Sequence, residues 1–121
     1  MKHMNSLCEA TEKLEEEFKS CRKVLNAVGD ENRQHLLCVM IESPLYGSRV
    51  IDIAERTSLS RPAVSHHMQI LKEAGLVKSR KEGTCIYYYL DPDDNKIKQL
   101  ASLIANIEKI MRMLPYRGED E

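Results

Sequence analysis

Five side chains able to exchange hydrogen bonds recur along residues 60–76 at spacings that place them together on one side of a helix. They are Arg61, Ser65, His66, Gln69 and Lys72, and the opposite side carries Val64, His67, Met68 and Leu71. Polar groups of this kind can reach base edges in a DNA major groove, where cations also meet phosphates. The pattern therefore predicts a helix that reads DNA, which we call the recognition helix.

Signals at both ends delimit the recognition helix. Ser60 stands where an N-cap belongs, and Pro62 is tolerated because the amides of the first turn have no intrahelical partner. Gly75 supplies the C-terminal stop. Its inward-facing His67 is expected to be packed or hydrogen-bonded in the core.

Neighbouring elements must hold the recognition helix in place. Before it, a short helix is predicted from Arg49 to about Thr57, capped by Ser48 and burying Val50, Ile53 and Ala54. The two helices and their turn fit the spacing of a helix-turn-helix. After Gly75, two strands are predicted around a turn at Glu82-Gly83, at Leu76–Glu82 and Thr84–Leu90. Arg80 and Lys81 near the tip of this hairpin, the wing, are expected to meet phosphates.

Both ends of the chain are predicted to be helical. A first helix spans about residues 6–28, and after Gly29 a second one, capped by Asp30, runs to about Ser43. The second helix is expected to turn four apolar residues to one face: Leu36, Leu37, Met40 and Ile41. The last helix is predicted at about residues 93–114, with Asp93 or Asp94 as its cap.

The last helix carries the spacing of a helix pair. Its apolar residues are separated by 3, 4, 3, 4 and 3 positions: Ile97, Leu100, Ile104, Ile107, Met111 and Leu114. Because the two terminal helices carry more apolar surface than one small domain needs, we expect them to pair across a two-fold axis. The expected dimerisation residues are Leu14, Phe18, Ile97, Leu100, Ile104, Ile107 and Met111. Packing within one subunit is the alternative.

Length and charge agree with this fold class, a mainly α chain with a small β-hairpin that forms a winged helix-turn-helix with N- and C-terminal dimerisation helices. We expect a single domain over residues 1–115, a DNA-reading unit at about 48–90, and a polar tail at 116–121. The net charge of the chain is −1, but residues 49–81 carry seven Lys/Arg against three Asp/Glu, or +4. A basic middle in a neutral chain is typical of a local DNA surface.

Several protein classes are excluded or disfavoured. No run approaches the ~20 apolar residues that cross a bilayer, and the acidic start does not resemble a signal peptide. We therefore expect a cytoplasmic protein whose four cysteines are thiols. An enzyme is not expected, because the sequence has no glycine-rich phosphate loop and no nucleophile with a suitably spaced base.

Three motifs resemble the ArsR/SmtB family of bacterial metal- and stress-responsive repressors. Residues 25–33 resemble its helix-junction signature, including its arginine at Arg33; residues 62–77 resemble its recognition helix; and residues 83–90 resemble its wing, with Tyr88 on the family's tyrosine. The resemblance implies a homodimer that binds a palindromic operator and is released by an inducer. It also implies that six residues face DNA: Ser60, Arg61, Ser65, His66, Gln69 and Lys72.

The family's inducer sites do not carry over. Its thiolate metal site needs a Cys-x-Cys pair where this chain has residues 50–53 without cysteine, and its other site needs histidines that the last helix lacks. We therefore predict no cofactor and neither familiar metal site, although a metal site of another composition stays open. The candidate thiol sensors are Cys8, Cys21, Cys38 and Cys85. Cys38 is interpreted mainly as a buried core thiol, and Cys8 and Cys21 as residues of one dimer helix.

Together these features predict a dimeric, sequence-specific DNA-binding regulator of transcription, a repressor released by an inducer or a thiol-linked signal. Its expected partners are a second copy of the chain and double-stranded operator DNA, and no membrane. The DNA contacts are assigned to Ser60, Arg61, Ser65, His66, Gln69, Lys72, Arg80 and Lys81. The alternative is a protein-interaction module that kept the winged-helix shape without reading DNA.

Overall fold

The computed structural model describes residues 2–115, so the predicted tail at 116–121 lies outside the described residues. The elements follow in the order α1 (Lys2–Ser20), α2 (Arg22–Val28), α3 (Glu31–Ile41), α4 (Val50–Glu55), α5 (Arg61–Glu73), β1 (Lys78–Glu82), β2 (Cys85–Tyr89) and α6 (Ile97–Met111). This order confirms the predicted fold class, a mainly helical chain with a β-hairpin in a winged helix-turn-helix. Among the described helices, none has both the length and the apolar character that crossing a bilayer requires.

The elements divide into two compact units. The terminal unit contains the described parts of residues 1–22 and 98–121, and the central unit contains residues 23–97. The single domain expected over residues 1–115 stays a prediction.

Helices α3, α4 and α5 form the core of the central unit. Its fully buried side chains include Leu36, Ile53, Val64, Met68 and Leu71, and α5 packs against both other helices. Strands β1 and β2 pair antiparallel. A turn at Gly83, where φ is +60°, joins the end of β1 to the start of β2. The hairpin is the predicted wing.

In the terminal unit, α6 and α1 meet through a polar contact beside a buried leucine. The Nδ2 group of Asn106 donates to Glu17 Oε2 at 2.6 Å, and Leu103 is fully buried. The predicted first helix at 6–28 is interrupted, because α1 ends at Ser20 and α2 begins at Arg22. The Ser20 hydroxyl donates to Glu16 O at 3.1 Å, a type of back-bonding that bends helices.

Two predicted helix caps are wrong. Ser48 does not cap α4, whose N-cap is Arg49, because the Ser48 backbone pairs with Tyr88 instead. Neither Asp93 nor Asp94 caps α6; their amides donate to Asp91 Oδ1 at 3.0 and 3.1 Å.

The first amide of α6, that of Ile97, donates a hydrogen bond to Asn95 Oδ1 at 2.9 Å. The side chain of Asp30 does cap α3 as predicted, by accepting from the Arg33 amide at 3.1 Å.

The predicted apolar face of α3 is partly wrong. Leu36 and Met40 are buried as expected, together with Val39, but Leu37 is only half-buried and Ile41 is 72% exposed. Ile41 is the last residue of the helix, so its side chain extends beyond the packed surface. In α4, Ile53 is buried while Val50 and Ala54 are half-buried.

Candidate nucleic-acid interface

The recognition helix is α5, and its local chemistry follows the predicted pattern. The Ser60 hydroxyl caps the helix by accepting from the Ala63 amide at 3.2 Å. Past its end, Gly75 has a φ of +79°, a conformation that side chains with a Cβ rarely adopt. Because one side of α5 is buried in the core, the opposite side is fixed toward solvent.

The six residues predicted to face DNA from the recognition helix all lie exposed: Ser60, Arg61, Ser65, His66, Gln69 and Lys72. Gln69 is restrained from its own helix, since its Nε2 donates to Glu73 Oε1 at 3.3 Å. That bond leaves the amide oxygen of Gln69 available as an acceptor and its second amide hydrogen available as a donor beside it. The surface therefore offers hydrogen-bonding groups at the positions the sequence predicts, although contact with DNA stays a prediction.

His67 lies on the inner side of α5, half-buried and hydrogen-bonded as predicted. Its Nδ1 lies 3.3 Å from Nη1 of Arg33 on α3. The other guanidinium nitrogens of Arg33 donate to backbone oxygens near the end of α2, Nε to Ala27 O and Nη2 to Asn26 O, each at 2.9 Å. From sequence, Arg33 is identified only through the family motif, because its partner His67 lies 34 positions away in the chain.

The two cations predicted to act at the wing have different surroundings. Lys81 is exposed near the tip. Arg80 is occupied: its guanidinium lies 4.9 Å from the centre of the Tyr87 ring, donates to Glu82 Oε1 at 3.0 Å, and donates to the Tyr46 carbonyl. Arg80 therefore helps to hold the wing, a role that sequence analysis missed.

Ion pairing separates the seven cations of residues 49–81 into two groups. Four have carboxylate partners: Arg49 with Asp52, Arg56 with Glu42, Lys78 with Asp91 and Asp94, and Arg80 with Glu82. Within the part of the chain that the structure describes, Arg61, Lys72 and Lys81 have no such partner. These three lie on the outward face of α5 and near the wing tip, so the unbalanced positive charge is located where DNA contacts are predicted.

Two of the paired cations, Lys78 and Arg49, are held in their charged forms by their neighbours. Hydrogen bonds to Asp94 and Asp91 raise the pKa of Lys78 above its usual value, and the bond to Asp52 raises the pKa of Arg49. The same cluster lowers the pKa of Asp91, first through the Asp93 amide and then through Lys78. These cations are balanced within the chain.

The residues predicted to form a dimer interface lie in or beside the terminal unit and differ in exposure. Leu14, Leu100 and Ile107 are half-buried, whereas Phe18, Ile97, Ile104 and Met111 are exposed. Ile104 is 55% exposed and Met111 is 64% exposed. On α6, Leu103 is fully buried. Four of the seven predicted interface residues are therefore exposed in a single chain.

The four cysteines are free thiols in different environments. Cys8 and Cys38 are exposed, Cys85 is half-buried, and Cys21 is buried. The interpretation of Cys38 as a core thiol is wrong, because α3 turns Leu36, Val39 and Met40 inward and leaves Cys38 on its outer side. Cys8 and Cys21 do not share a helix, since α1 ends before Cys21.

No cluster of three or more His, Cys, Asp and Glu side chains suited to a metal ion occurs among the residues described. The Cys21 thiol donates to Gln99 O, with Sγ and O 3.8 Å apart.

Known proteins similar to this chain are regulators of transcription. The family described as "Bacterial regulatory protein, arsR family" matches residues 30–79. The chain is 36% identical over 93 residues to an uncharacterized HTH-type transcriptional regulator of Methanocaldococcus jannaschii. The aligned region covers 76% of this chain and 99% of the relative. It is 34% identical over 68 residues to the transcriptional repressor SdpR of Bacillus subtilis. That aligned region covers 56% of this chain and 72% of the relative.

A solved structure supports the fold independently. The ArsR-like transcriptional regulator from Rhodococcus sp. RHA1 superimposes with a TM-score of 0.68 at 24% identity, over 78% of this chain and 83% of the other. The matched stretch of the family, residues 30–79, contains α3, α4, α5 and the start of the wing.

Proposed function

Because the chain belongs to the ArsR family of bacterial regulatory proteins, we propose that it is a dimeric transcriptional repressor that binds a palindromic operator in double-stranded DNA. Its relatives are transcriptional regulators and not enzymes. The protein acts in the cytoplasm without a cofactor or a membrane partner. Its release from DNA is linked to an inducer or to its thiols.

The observation that carries this proposal is the position of the unpaired cations. Arg61 and Lys72 flank the polar side of α5, and Lys81 lies near the wing tip, while the other cations of residues 49–81 are balanced by carboxylates. A positive charge left without a partner at a helix rich in hydrogen-bonding groups suits phosphates beside base edges. Ser65, His66 and Gln69 supply the base-reading groups in this arrangement.

The exposed apolar side of α6 supports the proposed dimerisation. Ile104 and Met111 repeat at heptad spacing and are exposed, whereas Leu103 is buried. A second copy of the chain that covers this seam would remove its apolar area from water. It would also present two recognition helices to successive major-groove segments, ~34 Å apart, as a palindromic operator requires.

DNA binding is tested with an operator selected by the protein from a pool of random duplexes. We expect tight binding whose affinity falls steeply with salt, because neutralised phosphates release counterions. A mixed-sequence duplex of equal length is the matched control. Selection of no sequence, with only weak binding to the mixed-sequence duplex, would contradict the proposal and favour an interaction module that kept the fold.

Thiol-linked release rests on the accessibility of Cys8 and Cys38, which are exposed. Operator binding is compared between the wild type and a variant with Ser at all four cysteines, each treated with peroxide, persulfide or As(III). We expect at least one treatment to release the wild type and leave the variant bound. Identical responses of both proteins to every treatment would show that the thiols are not the sensor.

A further inference from the structure

The side chain of Arg33, which lies on α3, connects α2 to the recognition helix within the central unit. Its Nε and Nη2 atoms donate to Ala27 O and Asn26 O near the end of α2, and its Nη1 atom lies 3.3 Å from His67 Nδ1 on the recognition helix. The chain enters the central unit through α2. One guanidinium therefore connects this entry segment directly to the helix proposed to read DNA.

The chemistry of the contact fixes the state of His67. A guanidinium carries donors only and stays protonated in proteins, so the imidazole nitrogen facing it must accept the hydrogen bond. In this contact His67 is the tautomer that carries its proton on Nε2 and a lone pair on Nδ1. Asp30 adds a negative charge to the group, and hydrogen bonding from the Arg33 amide lowers the pKa of this carboxyl.

The contact adds a directional restraint to the one that the apolar core provides. Burial of Val64, Met68 and Leu71 sets which side of α5 faces the core, but the burial of apolar area does not depend on the angles of individual contacts. A hydrogen bond weakens as its angle departs from linearity, so the Arg33–His67 contact resists rotation of α5 about its own axis. The adjacent His66, whose ring centre lies 5.7 Å from that of His67, faces solvent on the DNA side.

We propose that Arg33 is a positioning residue for base recognition. Anchored to backbone carbonyls near the end of α2, its guanidinium binds His67 Nδ1 and so restrains rotation of the recognition helix about its axis. This role rests on the proposed DNA-binding function. Rotation of α5 redirects the base-reading groups of Ser65, His66 and Gln69, whereas phosphates tolerate such displacement because attraction between charges is weakly directional. Loss of the contact therefore reduces discrimination between sequences more than it reduces binding to DNA in general.

The first test compares the selected operator with the mixed-sequence duplex. For Arg33→Gln we expect operator affinity to fall about tenfold, the size of a charged hydrogen bond, and mixed-sequence affinity to change far less. The matched control is Gln34→Ala, which removes a bond of 2.8 Å from Gln34 Nε2 to Val28 O at the same junction without touching α5. Gln34→Ala is expected to keep the ratio of the two affinities.

A double-variant cycle separates the contact from general loosening. His67→Leu removes the acceptor from the other side, and its effect on the affinity ratio is measured alone and together with Arg33→Gln. If both residues act through one contact, the double variant loses no more discrimination than either single variant. Losses that multiply would overturn the proposal.

A nitrogen-15 NMR measurement on the wild-type protein tests the geometry without DNA and without any variant. Long-range proton–nitrogen correlations should show His67 with a bare Nδ1 and a protonated Nε2. A proton on Nδ1 would overturn the proposal even if Arg33→Gln fails to fold.

The outcomes also separate this proposal from the function on which it rests. A wild type that selects no operator contradicts the proposed function. A wild type that selects an operator, with equal losses on both duplexes for a folded Arg33→Gln, contradicts the positioning role alone.

Discussion

The backbones of Ser48 and Tyr88 form a two-way pair, in which each amide donates to the carbonyl of the other residue at 2.8 Å. Ser48 lies just before α4 and Tyr88 lies in β2, so the pair ties the wing to the start of the helix-turn-helix. Both residues are buried. The wing position, on which any phosphate contact by Lys81 depends, is thereby set by a segment some forty residues earlier in the chain.

Gly47→Ala should loosen this attachment. Gly47 has a φ of +110°, and a Cβ there would lie 2.7 Å from Tyr88 O, inside the backbone pairing. We expect the free energy of unfolding to fall by about 1–3 kcal/mol, measured by thermal or urea unfolding. The control is Gly83→Ala, where φ is also positive but open space surrounds the position; an equal loss there would show that the contact with Tyr88 is unimportant.

Gln69→Ala should reduce sequence discrimination. A glutamine amide can bind adenine with two hydrogen bonds, so we expect a loss of ~1–3 kcal/mol on the operator and little change on a mixed-sequence duplex. Fluorescence anisotropy at one fixed salt concentration measures both affinities. His35→Ala, on the exposed side of α3, serves as the control, and parallel losses on both duplexes would mean that Gln69 reads no base.

Lys81→Ala should weaken binding to all sequences and reduce the slope of log affinity against log salt by about one, the signature of a lost phosphate contact. The matched control is Lys78→Ala on the same strand, because Asp91 and Asp94 already balance Lys78. A slope that changes equally for both variants would contradict the assignment of the unbalanced charge to the wing tip. Arg80→Ala is less informative, since it also removes the contact with Tyr87.

Ile104→Asp should dissociate the proposed dimer. A carboxylate at the centre of a covered seam would be buried without a partner, which costs several kcal/mol. Sedimentation should then show monomers, and operator affinity should collapse because a single half-site remains. Ala105→Asp adds the same charge at the neighbouring exposed position and is expected to stay dimeric; an Ile104→Asp protein that remains dimeric would place the interface elsewhere.

Acid should weaken the Asp91 cluster. The pKa of Asp91 is lowered in the folded protein, chiefly by the Asp93 amide and then by Lys78, so its stabilising effect is present above the ordinary carboxyl pKa of about 4 and is lost as the pH falls through the lowered value. We expect urea unfolding to show wild type more stable than Asp91→Ala at neutral pH, with the difference shrinking in acid. A difference that grows in acid would contradict the direction of the shift.

Local spacing was sufficient to predict the recognition helix. Its cap at Ser60, its end at Gly75 and the division into buried and exposed sides depend on residues within a few positions of one another, where helix geometry leaves little choice. The wing and the cap of α3 at Asp30 were predicted for the same reason. The apolar spacing of α6 predicts which residues share a side; on that side Ile104 is exposed whereas Leu100 and Ile107 are half-buried, and the dimer seam stays a prediction.

Tertiary structure decided which polar groups find partners. Ser48 has the side chain of a cap but uses its backbone to bind Tyr88, and Arg33 meets His67 across 34 positions of sequence. Cys38 is exposed because α3 buries its other side, which the spacing of its apolar residues left ambiguous. Hydrogen bonds and ion pairs act over a few ångströms, so partners distant in sequence are determined only when packing brings their elements together.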